Sequence, residues 1–382
     1  MKERRKDKHP QVEYPMKILH LADGRRNIRA ERAALLAKKQ KAKKQFLIGN
    51  VKEEVLIKNI FKKTRYVDLT PRNQLLIDIK PFMTALNNFI AEVDPDIIHA
   101  HNIFMAKLAK KTGLPFVYDD HELWSQKIKC YNYSGLKSKV SMALQRTYYP
   151  RWEKELAKTT AILAPSTGII NFYKTKYKTK NVLLFPNMPL LQEVKKPKLK
   201  ERAKDSLITV AIGVSTRSTA KHRRIEGFLD LWKQNEDIGK ILIIGQNDLK
   251  SEGKIISIGR VSHYACYTEA AIGHVGIIPF LPYAKYHQFS GANKAYLYIH
   301  AGLGLITPIT QTEFKPVIEA ISVGYQFQTY DDLVRYLRAK KEELMTTGAK
   351  EIMNIARKRF ILDNYGENLQ QAYEIAINLH GK

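Results

Sequence analysis

Cysteine is nearly absent from this chain. Only Cys130 and Cys266 occur among 382 residues. They stand far apart and in no metal-ligand spacing, which argues against a disulfide framework and for reduced thiols in a cytoplasmic setting. Long apolar runs are missing as well. No eighteen-residue apolar stretch occurs, so no membrane-spanning helix is expected. The opening MKERRKDKHPQVEYP, residues 1–15, has no apolar h-region and reads as a flexible basic arm, not a secretory signal. Acidic residues are scarce relative to basic ones: 37 Asp and Glu against 64 Lys and Arg, a net charge of +27. Residues 1–65 alone hold 20 basic and 7 acidic side chains, and a second basic region runs from Lys127 to Lys180. Such a surplus keeps a surface soluble. It also suits an anionic partner, whether a membrane face, a polyanionic acceptor or nucleic acid.

Several catalytic signatures are missing too. No Gly-X-Ser-X-Gly elbow is present, which removes the usual argument for a nucleophilic triad. Neither a Gly-X-Gly-X-X-Gly fingerprint nor a Walker loop occurs. No Cys/His set has zinc spacing, and no metal ligand is assigned. Asp94-Pro95-Asp96 resembles an Asp-X-Asp motif on paper. It precedes the strand-like IIHAH, so both carboxylates fall at the strand's entry and read as turn residues.

What the chain does have is alternation. Short runs rich in Val, Ile, Leu and Phe recur as KILHLAD, QFLIGN, RYVDLT, DIIHAHN, PFVYDDH, AILAPS and NVLLFPN. Most are apolar almost throughout, as strands buried on both faces are. Helix-length segments such as IRAERAALLAKKQKAKK and QLLIDIKPFMTALNNFIAEV lie between them. This pattern implies parallel sheets covered by helices. Residues 188–206, MPLLQEVKKPKLKERAKDS, interrupt it with charge and two prolines and read as a linker. The alternation then resumes with LITVAIG, KILIIGQ, IISIG, VGIIPF, LGLIT and YQFQTY. The expected architecture is α/β: two Rossmann-like doubly wound domains in series, facing across a cleft. The expected bounds are 1–15 for the arm, 16–188 for the first domain, 189–206 for the linker and 207–360 for the second domain. Residues 361–382 would form a helix crossing back to the first domain.

In such sheets ligands bind beyond the carboxyl ends of the strands. His99, His101 and Asn102 end one strand; Asp119, Asp120, His121 and Glu122 end the next. Four titratable groups after a buried strand are costly unless they open onto a cleft. His99 reads as a hydrogen-bonded core histidine, whereas Asp120, His121 and Glu122 are candidate catalytic groups. Gly24 follows the first strand and permits a tight turn toward an anion. In the second half, Arg217 and Lys221 lie in the loop after the first strand, where a guanidinium fork and an ammonium can meet a diphosphate. Asn293 and Lys294 open a helix, whose free N–H groups and dipole favour an anion. The stripe Leu136, Val140, Ala143, Leu144 and Tyr148 reads as the packed side of a surface helix, with membrane contact as the alternative.

Taken in order, PDIIHAHN, GLPFVYDDHELW, EKELAKTTAILAPS, VLLFPNMP, ANKAYLYIHAGLGLI and RFILDNYGENLQQAYEI resemble segments of GT-B type glycosyltransferases, in particular the retaining family 4 group. The resemblance spans about residues 16–380. It implies a nucleotide-diphosphate sugar, UDP- or GDP-linked, as co-substrate in the second domain. It makes Arg217 and Lys221 the pair that neutralises the leaving diphosphate, although their spacing is one residue shorter than usual. His121 becomes the first-domain histidine near the sugar, and Asn293 and Lys294 face the phosphates. It also implies catalysis without a metal, by positioning and electrostatic stabilisation. One position departs from the pattern. Three residues after the Asn-Lys pair a glutamate normally accepts hydrogen bonds from the ribose; with Leu297 here, Glu269 or Tyr298 would have to serve. The expected acceptor is a glycan or lipid-linked glycan at a membrane. DNA carrying modified bases is the second reading, and a non-catalytic binding protein on this fold is the third.

Overall fold

A computed structural model describes residues 16–69, 75–131, 136–214, 225, 227–245, 249–280 and 285–381. The chain forms two open sheets. The strands of the first are β1 (Lys17–Ala22), β2 (Lys44–Gly49), β3 (Lys63–Tyr66), β4 (Ile97–His101), β5 (Phe116–Asp119), β6 (Ala161–Ala164) and β7 (Val182–Leu184). Those of the second are β8 (Ile208–Ile212), β9 (Lys240–Ile244), β10 (Ile255–Ile258), β11 (Val275–Ile277), β12 (Gly304–Pro308) and β13 (Gly324–Phe327). Each falls on a run read as a strand from the sequence. The orders are β3-β2-β1-β4-β5-β6-β7 and β10-β9-β8-β11-β12-β13. The pairings from β3 through β5 and throughout the second sheet are parallel.

Both orders reverse direction beside the first strand, between β1 and β4 and between β8 and β11. That is where a doubly wound sheet opens a crevice at its carboxyl edge. The central strands are buried on both faces. Every residue of β4, β5, β8 and β12 is inaccessible or nearly so. This explains why they read as continuous apolar runs rather than alternating ones.

The helices show local causes. Ile28–Lys39 starts at Asn27, whose side chain accepts the Ala30 N–H. Its buried face is lined by Ala30, Ala33, Ala34 and Ala37, small enough for close packing on the sheet. The next helix is Lys80–Val93, shorter than the helical run beginning at Gln74. Pro81 sits in its first turn, where a missing N–H costs nothing, while Leu76 and Asp78 take left-handed backbone just before it. The C-terminal region, read as one long helix, is two: Ala349–Arg359 and Gly366–His380, with a tight 3-10 turn at Leu362–Tyr365. Phe360, Ile361 and Leu362 are all buried in succession.

By compactness the chain divides into two units. One takes the chain up to Asp119, Thr159–Ile162 and everything from Gly366 onward; the other takes Asp120–Lys158 and Leu163–Tyr365. The helix Gly366–His380 therefore returns to the first unit, where it packs on β5 and on Ile28–Lys39. The charged segment 188–206 is no bare tether. It contains the short helix Leu191–Lys195, buries Leu190 and Val194, and sends Arg202 to the carbonyls of Gly302 and Thr347.

Candidate functional site

Within the second unit, a cavity of about 230 Å³ is lined by residues from five places in the chain. His121 and Glu122 follow β5. Asn187 follows β7, and Gly213 follows β8. The segment from Tyr286 to Lys294 completes it, together with Phe280. The cavity therefore lies beside carboxyl ends of strands, as the topology leads one to expect.

Each wall has a local reason. Gly213 ends β8 with φ +56°, a left-handed turn that glycine adopts without strain, and its N–H is held by the Ile244 carbonyl. Its own carbonyl accepts the Lys294 ammonium at 2.9 Å. That ammonium also stands 5.4 Å from the Phe280 ring centre, within cation–π range. Lys294 is the second residue of the helix Asn293–His300, which starts at Ala292 with no side-chain cap. A helix start without a side-chain cap is a place that favours an anionic acceptor. Asn187 donates to the Gly291 carbonyl at 2.8 Å. Gly291 approaches Pro165 so closely that an added Cβ would sit 2.7 Å from the Pro165 oxygen. Ser166 donates to the Phe289 carbonyl at 3.0 Å and fixes the same segment.

The sequence-derived candidates divide. His121, Glu122, Asn293 and Lys294 come together around the cavity. Glu122 forms an ion pair with Lys127. Asp120 does not line the cavity. It is fully buried, its N–H bonds to the Leu163 carbonyl, and its carboxylate accepts the Tyr173 hydroxyl at 3.0 Å. The structure places it in the core, outside the cavity lining.

Tyr298 also lies in the core. It is fully buried, its hydroxyl accepts the Ile212 N–H at 2.8 Å and donates to the Ile277 carbonyl at 3.1 Å, and burial holds its pKa well above the usual tyrosine value. An oxygen committed to two strands cannot also read a ribose. Glu269, the other stand-in, pairs with Lys200 at 2.5 Å and lies outside the cavity lining. Leu297 is buried. Gly24 loses its anion role too. Its N–H is taken by Asn50 Oδ1 at 2.6 Å, the following Arg25 and Arg26 pair with Glu53, and Asn27 caps the next helix. Arg217 and Lys221 lie outside the described residues. Lining residues such as Gly213, Phe280, Tyr286, His287, Phe289 and Ser290 were not singled out in the sequence. The only signal was a cluster of aromatic and polar residues, YAKYHQFSG, just before the Asn-Lys pair.

The first unit carries a different polar group. His20, His99, His101, Asp119 and Arg29 are all buried along β1, β4, β5 and the helix Ile28–Lys39. Arg29 donates to both oxygens of Asp119 at 2.6–2.9 Å. His101 Nδ1 lies 3.0 Å from Asp119, His20 lies 3.1 Å from His101 and 2.8 Å from Gln45, and His99 lies 2.8 Å from the Tyr373 hydroxyl. The three imidazoles have ligand atoms within 4.8 Å of one another, close enough for a metal ion. His20 and His101 engage both ring nitrogens with these partners, whereas His99 engages its Nδ1 with Tyr373 and its Nε2 stands 3.5 Å from Asp119. Burial and the neighbouring His99 push His20 down to about 3 and His101 well below the usual range, which keeps both neutral. Asp94 and Asp96 serve as turn residues holding Lys17, one by its ammonium and one by its N–H.

The helix Leu136–Thr159 also differs from its sequence reading. Leu136, Val140, Leu144 and Tyr148 are exposed, whereas Met142, Tyr149, Trp152 and Leu156 form the packed face.

Residues 51–188, just over a third of the chain, match the sequence model of Glycosyltransferase Family 4. A search of curated proteins finds no match. Solved structures share the fold over nearly the whole length. Sucrose-phosphate synthase from Thermosynechococcus elongatus is 13% identical, with a TM-score of 0.68 over 94% of this chain and 98% of that one. Anabaena HepE, solved in complex with UDP-glucose, is 12% identical, with a TM-score of 0.63 over 93% and 98%. WaaG, a glycosyltransferase involved in lipopolysaccharide biosynthesis, is 10% identical, with a TM-score of 0.59 over 95% and 99%. The GT-B fold expected from the sequence is thereby shown, and the likeness to Glycosyltransferase Family 4 holds over residues 51–188.

Proposed function

We propose that this GT-B glycosyltransferase moves a sugar from a nucleotide-diphosphate donor to a glycan or lipid-linked acceptor, with retention and without a metal ion. One observation carries the donor site. The Lys294 ammonium is fastened to the Gly213 carbonyl at the carboxyl end of β8, beside an uncapped helix start. A fixed cation and unmet N–H groups at a strand's carboxyl end are the elements that receive a diphosphate. HepE, which shares the fold, was solved with UDP and with UDP-glucose, and this supports a UDP-linked donor. GDP is the other base to test.

In this reading Arg217 and Lys221 supply further positive charge to the departing diphosphate, and His121 and Glu122 attend the sugar and the acceptor hydroxyl. The barrier falls mainly through positioning and through charge placed where the leaving group becomes more negative. With Leu297 buried at the position of the family's carboxylate, ribose recognition falls to main-chain groups of the cavity. The exposed face of Leu136–Thr159 supports a lipid-linked acceptor. Leu136, Val140 and Leu144 occupy its first half, and Arg151, Lys154 and Lys158 its second. Apolar side chains flanked by cations suit an anionic bilayer surface.

The experiment is a panel of UDP- and GDP-sugars scored by mass spectrometry for donor binding and hydrolysis, with Arg217→Ala alongside. Hydrolysis of one or more donors, weakened at least tenfold by Arg217→Ala, is expected. Folded protein that binds no donor would overturn the proposal. Adding lipid-linked glycan in one arm and duplex DNA in another separates the acceptors. Transfer to DNA with a steep salt dependence would replace the lipid-linked reading.

A further inference from the structure

The mechanism above leaves one buried acid unused. Glu153 lies on the helix Leu136–Thr159 and has no solvent exposure. One carboxylate oxygen accepts the N–H of Ser125 at 2.8 Å, and the other accepts the Tyr177 hydroxyl at 3.0 Å. Ser125 belongs to the short helix Trp124–Lys127, immediately after His121 and Glu122. The chain from β5 to that helix is thus held at two points. At one, Asp120 is tied through its N–H to Leu163 and through its carboxylate to Tyr173. At the other, Ser125 is tied to Glu153. The arc between them, His121 to Trp124, carries both residues that line the cavity. Leu123 is buried within it, Trp124 packs edge-on against Tyr149 of the Glu153 helix at 5.7 Å, and Lys127 folds back to pair with Glu122.

We propose that Glu153 is a positioning residue for transfer: as a carboxylate it pins the His121–Glu122 arc through Ser125, and taking up a proton releases it. The inference rests on the proposed function for its link to turnover. An ionised carboxylate can accept from Ser125 and from Tyr177 together. A protonated one must spend an oxygen as a donor, and one of those two bonds must then rearrange. Burial raises the Glu153 pKa to about 7, opposed by the bonds from Ser125 and Tyr177 and by the Lys129 ammonium. The groups that face it are few. Ser125 comes from the short helix, Lys129 from the turn Ile128–Cys130, and Tyr177 from the end of the helix Thr167–Lys176, with Asp120 acting on Tyr177 in turn. Burial and Glu153 together raise Tyr177 far above the usual tyrosine range, so it remains a donor throughout.

The test compares the pH dependence of kcat in the wild type, Glu153→Gln and Glu153→Ala. A glutamine amide presents one acceptor and one donor end, as the protonated acid does, and it does not titrate. The wild type should lose kcat at least threefold between pH 8 and pH 6, with donor KM changed less than twofold. Glu153→Gln should hold the wild type's low-pH kcat across that range, and Glu153→Ala should lose tenfold or more at every pH. Persistence of the acid limb in Glu153→Gln would assign it to another group, such as His121, and overturn the proposal. A second readout needs no activity. With selectively 15N-labelled serine, the Ser125 amide, assigned through Ser125→Ala, should titrate near neutral pH in the wild type and not in Glu153→Gln. A silent amide overturns the proposal whatever the turnover. A titrating amide in a protein that transfers from no donor overturns the functional reading instead and leaves the anchor standing.

Discussion

Two sets of polar side chains stand near the carboxyl ends of strands in this protein, and they are built in opposite ways. His101 and Asp119 end β4 and β5 in the first unit. With His20, His99 and Arg29 they are shut off from solvent and committed to one another. Gly213, Asn293, Lys294, His121 and Glu122 surround an open cavity in the second unit. Position at a strand end is common to both sets, so position alone does not make a site. Burial decides. A charge without access to water must be matched by fixed partners, and a set of fixed partners leaves no room for a ligand. A cation held at the wall of an open cavity can still receive one.

The comparison breaks most visibly at Asp119. Replacing it with alanine leaves the Arg29 guanidinium buried without the carboxylate that takes its fork, and removes the partner of His101 Nδ1. Breaking a buried pair from one side costs about 3–5 kcal/mol, because the remaining charge is stranded. Urea unfolding should show that loss as a lower midpoint. A loss below about 1 kcal/mol would place Asp119 among the solvated groups and dissolve the contrast.

Lys294→Met asks the opposite question. The methionine keeps the apolar stem against Phe280 and removes the ammonium from Gly213. Its effect should fall on binding, with UDP affinity down about 10- to 100-fold, the size of a lost charge-assisted contact. Stability should change by less than about 0.5 kcal/mol, as for a partly exposed side chain. Calorimetric titration with UDP beside an unfolding curve separates the two. A variant that unfolds early but binds normally would move Lys294 into the structural set.

The strands were legible because parallel strands buried on both faces leave continuous apolar runs, such as ILII in β9 and ITVAI in β8. The Asn-Lys pair was legible because an ammonium at an uncapped helix start has no local reason to be there. Asp120 and His121 are neighbours that the sequence could not tell apart. Asp120 is buried because Tyr173 arrives from a helix 53 residues away, a contact with no local trace. The stripe Leu136, Val140 and Leu144 has helical spacing, but spacing alone does not say which face packs. The heavier aromatic face of Tyr149 and Trp152 took the interior. The break before Gly366 was hidden because the sequence on either side is helical.

Tyr298 gives the smallest and sharpest test, since the sequence placed it on the ligand and the structure places it inside. Its hydroxyl joins the Ile212 N–H at the end of β8 to the Ile277 carbonyl at the end of β11. Its ring lies over Gly276, where an added Cβ would come within 2.0 Å of it. Tyr298→Phe keeps that packing and removes one oxygen, leaving two buried main-chain groups without their partner. The expected cost is about 1–2 kcal/mol of stability, the range for such unmet groups. UDP affinity should stay within twofold. The reverse result, unchanged stability with weakened UDP binding, would return Tyr298 to the ribose.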